Sequence, residues 1–453
     1  MIFYLCSILI ILYSFVNFKR GFIIFLAFKL LLVRNITLIS IPGIPLLTLD
    51  MFMSLLYSFW FFLRKKKYST AKHSFPYMTP GMLLILSWTL SALFSVAGFS
   101  SEISVLIGDV ANEFLLLIAM WETLEDKEDF DFLFGMITIV IFASCIYALV
   151  EYKMQTNPLQ IYEMTLNIDP SKIIDFGYGI DKWRGYHVQS IFEHAITAGI
   201  IWALYSVFVM TSIVKYNEPL RFKAISVVTA VLCLLAVILT KQRAGLVFFF
   251  IAALSFFKPK KKKLYAIFAL VAIGMVFISP YLMDNINILL SLFSSKAQSQ
   301  VGGSDASMRW EQLNAAFQLF FKAPLFGLGS KFDSVINNRY VRALLGGESI
   351  WFSVIPGYGL LGIVSYLYSA YWMVYKIPKY FRSIELFWVS VAYWVVRTLT
   401  SVPGMKVYLI YLFFIYFIKK SDRYKKNDTI RMDEWRIKRS ILYHKNIFKV
   451  RKR

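Results

Sequence analysis

The sequence predicts an all-α polytopic membrane protein with about 12 to 13 transmembrane helices and a large extracytoplasmic loop carrying a surface helix. Composition and charge distribution lead there. Of 453 residues, 58% are hydrophobic and only 17% charged, whereas soluble chains carry a charged share of about a quarter. The lysines and arginines behind the net charge of +22 collect in short blocks between apolar runs, the distribution that keeps cytoplasmic loops basic. In a soluble chain that charge would point to nucleic acid. Here it orients the chain in its principal partner, the lipid bilayer, and no nucleic-acid partner is expected.

The first apolar run, 2–16, is followed rather than preceded by the basic pair Lys19 and Arg20, so it reads as a retained span and not a cleaved signal. Runs at 21–33 and 44–63 come next, the second closed by Arg64-Lys65-Lys66-Lys67, and these blocks are assigned to the cytoplasm. Spans near 79–98, 103–121 and 132–150 follow, the last two separated by an acidic turn, ETLEDKEDFD. The orientation rule tolerates that turn because lysine and arginine carry its signal. Alternation then places a polar connection, about 151–190, outside. Further spans fall near 191–214, 224–239, 244–257 and 264–282, with the basic connections 215–223 and 258–263 inside. A second outer loop occupies about 283–347. Spans near 349–375, 384–399 and 405–418 complete a membrane domain over 1–418, leaving 419–453 as a basic cytoplasmic tail. No internal repeat is visible, which counts against the repeat-built secondary transporters.

The second outer loop holds the surface helix. Ser304, Asp305 or Ser307 can cap it, and Trp310, Leu313, Phe317, Phe320 and Phe321 recur on one face. Pro324 stops it, and the sequence PLFGLG that begins there suits a tight re-entry turn. Glu348 follows a glycine pair and directly precedes roughly twenty-five mostly apolar residues, at the mouth of a membrane helix.

Cys6, Cys145 and Cys233 lie in separate apolar runs and read as small buried residues. His73, His187, His194 and His444 show no metal-ligand spacing, and no Walker loop or dinucleotide fingerprint occurs. No metal and no cofactor are therefore expected.

The chemistry-bearing residues stand at the span ends. Arg243, in Thr240-Lys241-Gln242-Arg243, falls outside by alternation, where basic residues are disfavoured. An anion site would compensate, since a guanidinium fork matches phosphate oxygens. An inner loop, or pairing with lipid headgroups, is the alternative. Glu348 can act as a base, because a poorly solvated carboxylate is more basic, or it can serve the dipole of the helix that follows. His194, beside Glu193, is the second base candidate, with a hydrogen-bonded structural histidine as the alternative. Asp109, Asn112 and Glu113 share a helical face deep in the fifth span; a structural pairing with Arg397 is the preferred reading of that face.

Three separated patches resemble the O-antigen polymerase and ligase superfamily. In SMRWEQLNAAFQLFFKAPLFGLGS the arginine, the helical spacing and the Pro-x-Phe-Gly-x-Gly-like turn are similar to the family's large outer loop. LTKQRAGLVFFF resembles its basic patch at a helix start, and RGYHVQSIFEHAITAG, through Phe192, His194 and Ala198, resembles a third patch. The resemblance implies a glycosyltransferase at the outer face of the bacterial cytoplasmic membrane, with a polyprenyl-diphosphate-linked oligosaccharide as donor. Arg243, with Arg184 or Arg309, would hold the diphosphate, and Arg339 and Arg342 lie close enough in sequence to serve equally. Glu348 or His194 would activate the acceptor hydroxyl. The family's ligases carry histidine-asparagine where this chain has Glu348-Ser349, so polymerisation of repeat units is favoured over ligation to lipid A core. A lipid-linked sugar flippase is the rival from another class, and a chain-length regulator is the one protein partner considered.

Overall fold

The computed structural model describes residues 2–32, 36–39, 47–68, 74–165, 180–181, 185–214, 223–256, 306–344, 346–347, 349–400 and 406–421. Among these residues, apart from two minimal antiparallel strand pairs, Thr37–Ile39 with Leu47–Thr48 and Ile180–Asp181 with Gly185–Tyr186, the regular structure is helical.

In chain order the helices are α1 Ile2–Val16, α2 Phe18–Phe28, α3 Leu49–Leu63, α4 Lys65–Tyr68, α5 Met78–Leu93, α6 Phe99–Val110, α7 Leu116–Thr123, α8 Lys127–Met154, α9 Pro158–Thr165, α10 Ala195–Val214, α11 Lys223–Leu239 and α12 Arg243–Ala253. After the second loop come α13 Ala306–Phe320, α14 Phe332–Val335, α15 Arg339–Leu344, α16 Trp351–Tyr371, α17 Ile377–Phe381, α18 Ile384–Leu399 and α19 Val407–Lys420. A π turn, Ala111–Leu115, joins α6 to α7, and a second, Trp372–Lys376, joins α16 to α17.

Among the described residues, four continuous stretches are long and apolar enough to cross a membrane: Phe99–Thr123, Lys127–Met154, Ala195–Ile213 and Trp351–Phe381. Ile2–Val16, Leu49–Leu63, Met78–Leu93, Ala224–Leu239 and Arg243–Phe256 are apolar but shorter. The chain is thus all-α and polytopic. The expected span at 264–282 and the tail beyond residue 421 lie outside the described residues.

Packing separates protein-facing from lipid-facing sides. The central helix is α10, apolar all round and buried through Ile200, Trp202, Leu204, Tyr205 and Phe208, as a helix surrounded by others must be. It approaches α12 so closely that a Cβ on Gly245 would stand 2.8 Å from the carbonyl carbon of Gly199, a small-residue contact of the kind that lets membrane helices meet. The outward side of α16 instead exposes Leu360, Val364, Leu367 and Tyr371, one helical stripe of large apolar side chains suited to lipid.

Ion pairs and hydrogen bonds gather the helix ends into two faces. On one, Lys19 pairs with Asp126 (3.2 Å) and Asp129 (2.6 Å), Lys65 with Glu122 (3.1 Å), and Lys419 with Glu125 (2.6 Å). The acidic turn is therefore an acceptor for three basic segments. On the other face, Val96 N donates to Leu328 O (3.0 Å), Ile350 N to Arg397 O (3.0 Å) and Val188 N to Leu239 O (3.4 Å), and Lys406 lies 3.9 Å from Glu193. Span alternation from the sequence joins the same ends.

One interior expectation changes. The Asp109, Asn112 and Glu113 face does not act as a unit. The π turn inserts a residue there, and Asn112 accepts from Lys29 (2.8 Å), which also binds Asp50 (2.5 Å) and Ser54 (2.9 Å). Cys145 and Cys233 are buried and free, as expected, and they meet with their thiols 3.5 Å apart, whereas Cys6 is only partly buried.

Candidate active site

The turn after α13 docks into a break in a membrane helix. Within α16, Gly359 takes φ 62° and ψ −154°, values that no helix contains and only glycine adopts readily. The break frees backbone groups that would be costly in a membrane protein unless bonded, and the PLFGLG turn bonds them. Leu328 N donates to Pro356 O (2.8 Å) and Gly329 N to Gly357 O (3.0 Å), while Leu360 N donates to Pro324 O (2.8 Å) and Leu361 N to Leu325 O (3.2 Å). Gly327 and Gly329 have φ of 78° and 95°, and a Cβ on Gly327 would sit 2.2 Å from Gly357 O. The glycines thus permit both the backbone conformation and the approach.

Glu102 fastens the turn from the side. Its buried carboxylate accepts from Ser95 Oγ (2.9 Å), from Lys331 N (2.9 Å) and from Ser330 Oγ. The only signal for this in the sequence was one carboxylate near the start of an apolar run.

Helix α13 leads into the turn. Its buried side is Gln312, Ala315, Ala316 and Leu319, whereas Trp310 and Phe321 are 73% and 69% exposed. The aromatic stripe read from the sequence faces outward, and the small residues make the close contact with α15 and α16. Arg309 is partly buried on this helix.

Arg243 opens α12 directly after a tight turn in which Lys241 has φ 50°. That turn is held by the patch before α10: His187 Nδ1 lies 3.0 Å from Thr240 O, so this nitrogen carries the hydrogen and donates. His194 belongs to the same neighbourhood. Its Nδ1 accepts from Ile196 N (3.1 Å), capping the start of α10, and poor solvation, with the charge of His187 nearby, lowers its pKa to about 4. The imidazole is neutral at pH 7, with its hydrogen on Nε2. Glu193 beside it is buried near Lys406.

The fold thus brings His194, His187 and the Arg243 turn together, and it ties the Arg309 helix to the broken part of α16. Arg184 and Glu348 lie outside the described residues. Their described neighbours are well anchored. Tyr186 Oη donates to Glu151 (2.8 Å), and Trp351 Nε1 donates to Thr398 Oγ1 (3.3 Å). This face offers arginine forks, a helix start and hydrogen-bond donors at a membrane boundary, a set that suits an anionic group attached to a lipid.

Comparison with known families gives a match to the O-antigen ligase family over residues 228–367. The matched segment takes in the Arg243 turn, α13, the glycine turn and the broken part of α16. No curated protein matches the chain.

Proposed function

We propose, from the match of residues 228–367 to the O-antigen ligase family, that the chain is a membrane enzyme of the O-antigen polymerase/ligase superfamily and that it polymerises polyprenyl-diphosphate-linked repeat units at the outer face of the cytoplasmic membrane. The acceptor hydroxyl oxygen attacks the anomeric carbon of the donor glycan, and the bond from that carbon to the diphosphate oxygen breaks. The diphosphate leaves with the bonding electrons and the configuration inverts. Arg243, with Arg184 or Arg309, neutralises the charge that grows on the diphosphate, where positioned donors contribute most. Glu348 takes the hydroxyl proton, and His194 is the second candidate for that role. A base of this kind contributes a factor of about 10² to 10⁴.

The observation that supports this reading best is the position of Arg243. It begins a helix on the face that also holds the His187 to His194 patch and the docked loop. Polymerisation is preferred over ligation because Glu348-Ser349 replaces the ligases' histidine-asparagine pair. A flippase would need positive charge in a cavity between spans wide enough for a glycan, whereas Arg243 and Arg309 lie in the first turns of α12 and α13 and the cavity that Arg397 lines holds only about 30 Å³.

The test is the length distribution of surface and carrier-linked glycan in a deletion strain and in a Glu348→Gln strain with matched membrane protein levels. Deletion is expected to leave single repeats on the normal terminal acceptor; long chains stranded on the carrier lipid would identify a ligase instead. Glu348→Gln is expected to reproduce the deletion, because an amide keeps the size but takes no proton. Near-normal polymer would leave Glu348 a helix-end role, worth only about 0.3 to 1 kcal/mol at an exposed position.

A further inference from the structure

Inside the helix bundle, a cavity of about 30 Å³ is lined by groups from α5, both π turns, α16, α18 and α19. Opposite charges face it. Glu113, from the first π turn, and Arg397, from α18, both line the cavity and attract one another electrostatically. Yet among the described residues the Glu113 carboxylate makes no direct ion pair or hydrogen bond. The Arg397 guanidinium donates to Tyr393 Oη (2.6 Å) and lies over the Tyr393 and Trp394 rings, which leaves it further N–H donors. Two more residues with polar side-chain atoms line the same space. Tyr77 is 3% exposed and Trp394 is 8% exposed, and among the described residues neither Tyr77 Oη nor Trp394 Nε1 has a hydrogen-bond partner.

Buried polar atoms in a membrane protein are costly when unpaired, and this cavity collects several. A cation is disfavoured by Arg397 and an anion by Glu113. A neutral occupant that both donates and accepts satisfies both charges at once. The volume has room for about one or two water molecules and none for a sugar ring. We propose that this cavity is a buried hydration site in which ordered water bridges the Glu113 carboxylate to the Arg397 guanidinium, Tyr77 Oη and Trp394 Nε1. The π turn is what aims Glu113 at it: the extra residue sends Asn112 to Lys29 on one side and Glu113 to the cavity on the other. Through Arg397, whose carbonyl accepts from Ile350 N, the hydrated pair is joined to the first turn of α16. The inference does not depend on the reaction proposed above.

The test uses the purified full-length protein in lipid nanodiscs. Tyr77→Phe deletes one hydroxyl and nothing else. A water-bonded hydroxyl predicts a lower melting temperature, whereas an unbonded one predicts an unchanged or higher value, because the variant then loses only an unpaired polar group. Combined with Glu113→Gln, the change is expected to be non-additive, since both groups share the same water; additive effects, or a Tyr77→Phe variant at least as stable as the parent, overturn the proposal. Should Glu113→Gln fail to accumulate, a density map of the unmodified protein decides. It should show an oxygen within about 3.2 Å of both Glu113 and one of the donors, and a cavity closed by direct Glu113–Arg397 contact overturns the site.

Discussion

His194 carries a pH dependence with a definite sign. Its folded pKa of about 4 stands below the ordinary value of 6.5, so between those values the unfolded chain binds more protons than the folded one. Stability from this group is fully present above about pH 6.5 and is lost as pH falls through about 4. Melting temperature should therefore drop across that window, and His194→Asn, which keeps a side-chain acceptor for Ile196 N, should flatten the drop. A stability that rises on acidification over the same range, and does so less in the variant, would contradict the assignment. With Nδ1 committed to the cap and the hydrogen on Nε2, the ring as folded donates rather than accepts, which favours Glu348 as the base. At Arg243, lysine keeps the charge but loses the planar fork. A charged hydrogen bond is worth about 1.5 to 3 kcal/mol, so Arg243→Lys should lower polymer yield by about ten- to hundredfold with protein still in the membrane. Normal polymer in Arg243→Ala cells would remove the residue from the site.

Among the elements, the docked glycine turn offers the clearest substitution test. Alanine at Gly327 would have to hold a left-handed backbone, which costs about 1 to 2 kcal/mol, and would meet Gly357 O at 2.2 Å. Gly327→Ala should lower both melting temperature and polymer yield, whereas Gly108→Ala, whose new Cβ would only touch Met51 Sδ at 3.7 Å, should change neither. Equal behaviour of the two would mean that docking is dispensable. The turn itself was legible, because a proline and two glycines in six residues announce it. Its receptor was not, since Pro356-Gly357-Tyr358-Gly359 sits in an apolar run and hydropathy does not register a dihedral. The same limit applies to Asn112 and Glu113: helical spacing assumes a fixed period, and the π turn sends the two side chains to different partners. The outer faces of α13 and α16 show why an aromatic or aliphatic stripe is ambiguous in a membrane protein. Large apolar residues can face lipid while alanine and glycine make the protein contact, the reverse of the rule for water-soluble helices.

At the scale of the whole molecule, the two sets of helix ends make a topology prediction that charge counting alone leaves open. The turn at 122–131 is acidic, and alternation places it with the most basic segments of the chain. The structure gives the physical reason for that company: Asp126, Asp129, Glu122 and Glu125 are bonded to Lys19, Lys65 and Lys419, so this face is a paired surface rather than an exception to the orientation rule. If it is cytoplasmic, as the surplus of lysine and arginine requires, then the face holding Glu193, Lys406, Leu328 and the Arg243 turn must be external. Reporter fusions after Lys263 and in the tail should then read as cytoplasmic, and fusions near Arg184, Arg243 and Arg309 as external. Because Val188 N bonds Leu239 O and His187 bonds Thr240 O, reporters at Arg184 and at Arg243 must agree with one another whichever side they report. A split result would break the fold assignment, while a joint cytoplasmic result would leave the fold standing and take the arginines away from an external diphosphate.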